Sequence, residues 1–185
     1  MELEELKTMV DSALDKCQEL INANTNVVLS EGDLERLLCK CISDEIHEDI
    51  QRPHDFSVHS QISHYFEEDG KNVVDYRVDI LLLIESKLDA FLNHKEFKYE
   101  GDSLAIELKY LHRNDNIDRV KCDFCKWGSL RNDSWMYVVV LIDSFNDEDF
   151  TLKENGIKTM YNEECQKHNE HDEHLYYHVL KKKIQ

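Results

Sequence analysis

Two amphipathic helices are predicted at the start of the chain. Between residues 2 and 22, apolar side chains recur at steps of three and four, which is the spacing of one helical face. After a short polar break, Ser30 and Asp33 form the pattern of a capping box. The second helix extends to about residue 49 and ends before Pro53. The predicted buried stripes are Leu3, Leu6, Met9, Val10, Ala13, Leu14, Cys17 and Leu20, then Leu34, Leu37, Leu38, Cys41, Ile42 and Ile46.

The pattern beyond Pro53 is that of β-strands, with alternating or continuous apolar residues. Asp69-Gly70 is typical of a hairpin turn and lies between the first two of these segments. The residues after the last segment, Lys181–Lys183, are interpreted as a basic tail. The predicted strands cover residues 56–66, 73–84, 103–111, 136–142 and 175–180.

Helices are predicted between the later strands. One covers about residues 115–130, and another occupies part of 147–169, where Gly156 is expected to interrupt it. A short helical turn is also expected at residues 88–92. The resulting order, α-α-β-β-β-α-β-α-β, predicts an α/β fold in which helices flank one mixed sheet of four to five strands.

The length of the chain, 185 residues, predicts one domain. We place its core at about residues 30–143, preceded by the helix 2–22 and followed by a helix and strand extension over 144–185. No apolar run approaches the ~20 residues of a membrane-spanning helix, and the acidic amphipathic N-terminus does not resemble a secretory signal. We therefore expect a cytoplasmic protein that does not enter a membrane, with reduced cysteines.

Charged residues interrupt the apolar sequence of two of the predicted strands. Asp79 lies within an otherwise apolar strand, where burying a carboxylate costs several kcal/mol unless it is paired or binds a cation. Glu107 and Lys109 lie two residues apart in the next strand, so both project to one face. If the two strands pair, Asp79 can face Glu107. The alternative is an ion pair between Glu107 and Lys109 at a solvated sheet edge, which leaves Asp79 unexplained.

This arrangement resembles the PD-(D/E)xK nuclease superfamily, whose fold is restriction-endonuclease-like. Asp79 followed by Glu107-Leu108-Lys109 matches the family motif, although Val78 stands at the position of the proline. The family also has an acidic helix before the first strand, as in Ser30–Glu35, and a helix with Asp-x-x-Lys, as in Asp123–Lys126. An apolar strand then follows, and the resemblance covers roughly residues 30–143.

The resemblance implies a nuclease that uses Mg²⁺ or Mn²⁺, as one or two ions, to hydrolyse phosphodiester bonds in DNA. Asp79 and Glu107 would be metal ligands, with the backbone carbonyl of Leu108 as a further ligand, and Lys109 would be the catalytic lysine. The acid of the first helix would be Glu31, which lies nearer the apolar stripe, or Glu35 as the fallback. An RNA-directed nuclease with the same site and a catalytically inactive member of the fold that binds a protein are the alternatives.

The formal net charge of −17 argues against binding nucleic acid by bulk electrostatics. A local basic group, Arg113, Arg119 and Lys126, is therefore the predicted nucleic-acid contact, with a solvated helix face as the alternative. A basic protein partner would also fit the charge. The apolar stripe of helix 2–22 is expected to pack either against a second copy of the chain in a homodimer or against the chain's own sheet.

Two further signals have competing interpretations. Cys122 and Cys125 form a C-x-x-C pair, which we interpret as two small core residues rather than ligands of an iron–sulfur cluster. His59, Gln61 and His64 on the first strand either border a substrate groove or lie on an exposed face.

Overall fold

In the part of the chain that the structure describes, the fold is α/β, with a five-stranded mixed sheet flanked by four helices. A computed structural model of the chain describes residues 2–48, 56–68, 71–84, 88–90, 97–99, 103–127, 134–167 and 174–183. The helices are α1 (Glu2–Ala23), α2 (Glu31–Glu48), α3 (Lys121–Lys126) and α4 (Asp147–Lys167). The strands are β1 (Phe56–Glu68), β2 (Lys71–Ile84), β3 (Leu88–Ala90), β4 (Phe97–Tyr99), β5 (Ser103–Leu111), β6 (Ser134–Ser144) and β7 (Leu175–Lys183).

The order of strands in the main sheet is β1-β2-β5-β6-β7. β2 pairs antiparallel with both β1 and β5, whereas β5, β6 and β7 run parallel. The parallel connections pass through α3 and α4, as parallel strands require crossover segments. β6 is buried along its whole length, which explains its continuous run of apolar and β-branched residues.

The sheet separates two apolar cores. α1 and α2 bury their stripes on one face, against the even-numbered residues of β5 such as Ile106 and Leu108. α3 and α4 cover the other face, against β6 residues such as Val138 and Val140. Glu107 and Lys109 alternate with Ile106 and Leu108, so they project toward the α3 side.

The predicted capping box is confirmed at the start of α2. The backbone N–H of Asp33 donates to Oγ of Ser30 at 3.2 Å, and the Ser30 hydroxyl donates to the Asp33 carboxylate at 3.0 Å. The stripe of α1 is buried against the chain's own sheet, as one of the two alternatives predicts. Its last buried residue is Ile21, whereas Leu20, predicted to be buried, is exposed.

The predicted helical turn at residues 88–92 is wrong over its first part, because Leu88–Ala90 is a strand that pairs with β4. The helix predicted over 115–130 begins later than expected, since a 3-10 turn over Ile117–Val120 leads into the six residues of α3. Residues 128–130 of this prediction lie outside the described residues. The strand after α4 extends to Lys183, so the predicted basic tail belongs to β7.

The predicted interruption at Gly156 is also wrong, because α4 continues through it. A methyl group at Gly156 would clash with the side chain of Ile117 from the 3-10 turn. The glycine therefore allows close packing rather than ending the helix. No helix in the described part of the chain combines the length and apolarity needed to cross a membrane.

Candidate functional site

The candidate site lies where β2 and β5 stop pairing. Over the described residues, their antiparallel pairing begins at Leu83 with Ser103 and ends at Ile80 with Ile106. The next step of the same register places Asp79 directly opposite Glu107, and opposed residues of an antiparallel pair project to the same face. The two carboxylates therefore share one side of the sheet, at the position where the hydrogen-bonded ladder ends.

Gln61 extends this row onto β1. The neighbouring pairs, Ser60 with Ile80 and Ile62 with Val78, leave Gln61 opposite Asp79. Its Nε2 donates to Oδ1 of Asp79 at 3.2 Å. The row across three adjacent strands is thus Gln61, Asp79 and Glu107.

The other oxygen of Asp79 contacts β5. The backbone N–H of Leu108 donates to Oδ2 of Asp79 at 2.8 Å, so this carboxylate takes a hydrogen bond that a paired strand would otherwise accept. The contact fixes the half-buried Asp79 beside the Glu-x-Lys segment. It also places the backbone N–H of Leu108 at the site. The role of the Leu108 carbonyl as a metal ligand stays a prediction.

Glu107 is the most unusual charged group of the site. Its residue is 1% exposed, and its Oε2 lies 2.5 Å from Nζ of Lys126. Burial raises the pKa of Glu107 to about 7; the nearby ammonium of Lys126 opposes this shift, and the charges of Asp79 and Asp123 add to it. Among the described residues, none donates a hydrogen bond to the buried Oε1 of Glu107. This carboxylate therefore has an oxygen available to a further ligand.

Lys109 lies between acids of two helices. Its Nζ is 3.6 Å from Oε2 of Glu31 on α2 and 3.5 Å from Oδ2 of Asp123 on α3. The ion pair expected under the structural alternative, Glu107 with Lys109, is replaced by Glu107 with Lys126. Lys109 therefore pairs with Glu31 and Asp123 and not with Asp79 or Glu107.

Both candidate acids of α2 lie at the site. Oε2 of Glu31 accepts from the backbone N–H of Tyr110 at 3.2 Å, so Glu31 is held at the end of β5. Oε2 of Glu35 accepts from Nε2 of Gln61 at 2.8 Å, so Glu35 is linked to Asp79 through one amide. The structure therefore brings the preferred and the fallback residue to two different parts of the same cluster.

Asp123 is a site residue that the sequence interpretation assigned no role of its own. It is 5% exposed, and burial raises its pKa despite the nearby ammonium groups of Lys109 and Lys126. The signal was present in the Asp123-x-x-Lys126 spacing, because residues three apart lie on one face of a helix. Both side chains of this pair turn into the site, with 3.5 Å between Nζ of Lys126 and Oδ1 of Asp123.

The three residues predicted to contact nucleic acid have separate surroundings. Lys126 is paired with Glu107 inside the site. Arg119 is exposed and pairs with Asp115 at 2.5 Å, and the guanidinium of Arg113 lies 4.2 Å from the ring centroid of Phe145. The structure thus places one member of the group in the site, and the contact with nucleic acid stays a prediction.

The interpretation of Cys122 and Cys125 as core residues is wrong, since both are exposed. α3 has only six residues, and its inward face carries Phe124 and Asp123 instead. His59 contacts Oγ of Ser57 at 2.8 Å through Nε2, and the side chain of His64 lies outside the described residues. Gln61 reaches the candidate site through its contact with Asp79.

The residues at the site fit a hard divalent cation. Carboxylate oxygens are the ligands that Mg²⁺ and Mn²⁺ prefer, and the buried Oε1 of Glu107 is free of a described hydrogen-bond donor. In the described part of the chain, no three or more His, Cys, Asp or Glu side chains form a ready-made metal cage. The ammonium of Lys126 instead pairs with Glu107, so binding an ion at this carboxylate would require the Lys126 side chain to move.

No protein-family model matches this chain, and neither a curated protein nor a solved structure is significantly similar to it.

Proposed function

We propose that this protein is a metal-dependent nuclease of the PD-(D/E)xK type, with a restriction-endonuclease-like fold, which hydrolyses phosphodiester bonds in DNA. The observation that carries the proposal is the position of Asp79 opposite Glu107 at the end of the β2–β5 ladder, with Lys109 two residues further on the same strand. The three residues named by the family resemblance thus lie on one side of the sheet.

Each residue has a role that follows from its surroundings. The carboxylates of Asp79 and Glu107, with Glu31 or Glu35, would hold Mg²⁺ or Mn²⁺. When bound, the ion would supply positive charge to the scissile phosphate and lower the pKa of a water. Lys109 would orient that water or stabilise charge in the transition state, since its ammonium is held between Glu31 and Asp123, two residues along the strand from Glu107.

The order of elements adds support. The acidic helix α2 precedes β1, α3 with its Asp-x-x-Lys pair follows Glu-x-Lys, and the buried strand β6 comes next. All these elements contribute to the site or lie beside it. A Glu-x-Lys triplet that occurred by chance would have no reason to be surrounded by these elements. A domain with net charge −17 then needs its cation and local lysines to attract a polyanion.

A second candidate function is favoured by one contact. Lys126 already neutralises Glu107, which is the arrangement expected of a nuclease fold that has become a protein-binding module without metal. The acidic surface would then face a basic partner. The two candidates differ in whether a divalent cation displaces Lys126.

Cleavage assays test the proposal directly. Purified protein would be incubated with Mn²⁺ and with single-stranded DNA, double-stranded DNA or RNA of the same sequence. Asp79→Ala and Lys109→Ala are the test variants, and Glu148→Ala and Lys158→Ala are controls that remove exposed charges of α4. We expect the test variants to lose at least ~100-fold in rate while the controls cleave like the wild type.

Cleavage of RNA in preference to DNA would show that the substrate is RNA and would leave the proposed catalytic residues unchanged. Equal activity in all five proteins would indicate a contaminating nuclease and would contradict the proposal. Absence of cleavage on every substrate, with no effect of Mn²⁺ on the melting temperature, would favour the protein-binding module.

A further inference from the structure

Gln61 has a backbone conformation that is rare for its residue type. Its φ is 55°, and among the described residues it is the one non-glycine residue with a positive φ. For a residue with a Cβ, the left-handed region is strained, because the Cβ lies too close to the following carbonyl oxygen. Such conformations persist when the surrounding structure requires them, and they concentrate at functional sites.

The side-chain amide of Gln61 joins two acids from different parts of the fold. Nε2 donates to Oε2 of Glu35 at 2.8 Å and to Oδ1 of Asp79 at 3.2 Å. One of these acids is on α2 and the other is on β2, on which α2 packs from the opposite face. A single amide group therefore uses both of its N–H bonds on two carboxylates that would otherwise repel each other.

The unusual backbone and the two contacts have a common explanation. A regular strand residue opposite Asp79 would direct its side chain only to the face that Asp79 occupies. The left-handed turn of the backbone at Gln61 allows the amide to reach Glu35 as well. A structural role in the β1–β2 hairpin does not explain this geometry, because the pairs on both sides of Gln61 keep one register.

We propose that Gln61 is a positioning residue for the metal site: it holds the carboxylates of Asp79 and Glu35 together so that both can contact one divalent cation. The inference rests on the proposed function, since it assigns Gln61 a task in the same site. It also gives Glu35 a defined place in the ligand set, while Glu31 is held separately by the backbone of Tyr110. Residues that orient metal ligands typically change metal affinity by ~10–100-fold when they are removed.

Gln61→Gly separates this role from a purely structural one. Glycine adopts a positive φ without strain, so the variant removes the amide and keeps the backbone conformation available. Ser60→Gly, at the exposed neighbouring position of β1, is the matched control for a new glycine in the strand. Gln61→Ala, which also lacks the amide but keeps a Cβ, serves as the second variant if Gln61→Gly is poorly folded.

The readouts are Mn²⁺ affinity by titration calorimetry and melting temperature of the full chain in a chelator. We expect Gln61→Gly and Gln61→Ala to weaken Mn²⁺ binding at least ~10-fold. Without metal, Gln61→Gly should melt at or above the temperature of Ser60→Gly, which should bind Mn²⁺ like the wild type. A merely structural role would lower the melting temperature and leave the affinity of the folded protein unchanged.

A double-mutant cycle tests the link to Glu35. If Gln61 acts through this carboxylate, Glu35→Gln and Gln61→Gly together should weaken Mn²⁺ binding by less than the product of the two single effects. Wild-type Mn²⁺ affinity in both Gln61 variants, or independent effects in the cycle, would overturn the proposed role of Gln61 but not the proposed nuclease function. A wild-type protein that binds no Mn²⁺ would overturn the proposed function together with it.

Discussion

The ammonium of Lys126 lies 2.5 Å from Oε2 of Glu107, while no described group donates a hydrogen bond to the second oxygen of that carboxylate. The buried acid thus has a cationic partner on one side only. In the absence of metal the lysine supplies the positive charge that Glu107 needs. A divalent cation at the same carboxylate would have to compete with the lysine.

Replacing Lys126 by methionine should destabilise the metal-free protein and increase its response to metal. The change leaves Glu107 and Asp123 without this ammonium, and breaking a buried pair costs on the order of 3 kcal/mol. We expect urea denaturation in a chelator to show this loss. Mn²⁺ should then raise the melting temperature more in Lys126→Met than in the wild type, because the ion replaces the missing charge.

Lys121→Met is the matched control, since Lys121 is an exposed residue of the same helix. It should unfold like the wild type and show the same response to Mn²⁺. An equal metal response in Lys126→Met and the wild type would show that the ion does not bind at Glu107.

The stability of the protein should depend on pH through Glu107. Burial raises its pKa in the fold from 4.5 to about 7, so the unfolded chain loses this proton at a lower pH than the folded chain does. The contribution of Glu107 to stability is therefore most favourable below about 4.5, decreases as the pH rises to about 7, and is constant above that. Glutamine at this position does not titrate.

Chemical denaturation in a chelator between pH 4.5 and 8 measures this effect. The free energy of unfolding of Glu107→Gln should rise relative to the wild type as the pH increases to about 7. Glu148→Gln, at an exposed position, should give a profile parallel to the wild type. A parallel profile for Glu107→Gln would contradict the raised pKa.

The buried ammonium of Lys182 should stabilise the carboxyl ends of the parallel strands β5, β6 and β7. Lys182 of β7 donates to the hydroxyl group of Tyr110 at 2.6 Å and to the carbonyl of Val28 at 2.7 Å, and Tyr110 donates to Asp143 at 2.7 Å. Lys182→Met should lower the free energy of unfolding by about 3 kcal/mol, since Asp143 stays buried without its nearest ammonium. The exposed neighbour gives the control: Lys183→Met should stay within about 0.5 kcal/mol of the wild type in the same urea titration.

Alanine at the two described helical glycines should have different effects. At Gly32, a methyl group would lie in ordinary contact with Oγ of Ser30, so Gly32→Ala should gain stability by up to about 1 kcal/mol. At Gly156 the methyl group would meet Cδ1 at the end of the Ile117 side chain, which has to move, so Gly156→Ala should gain less stability than Gly32→Ala. Thermal unfolding of the two variants checks this order, and a gain at Gly156 as large as that at Gly32 would show that Ile117 moves freely.

The parts of the fold that depend on local pattern could be predicted from the sequence. The period-two alternation around Glu107 and Lys109 places both on one face, whatever the strand packs against. The bounds of β5 and the cap of α2 also follow from short stretches of sequence. These features need no knowledge of distant contacts.

Features set by distant contacts could not be predicted in the same way. The choice of Lys126 rather than Lys109 as the partner of Glu107 depends on where α3 lies over the sheet. A glycine within a helical pattern weakens the helix by about 1 kcal/mol relative to alanine, and the pattern alone does not show that Ile117 approaches α4 at Gly156. Likewise, the positive φ of Gln61 has no local signal, because glutamine rarely adopts it.

Anomalous diffraction from crystals grown with Mn²⁺ is the most direct test of a shared cation at Asp79 and Glu107. The proposed site predicts one or two peaks in contact with the carboxylate oxygens of both residues, and their loss in crystals of Asp79→Asn. A map with no peak at these carboxylates, at Mn²⁺ concentrations that support cleavage in solution, would contradict it.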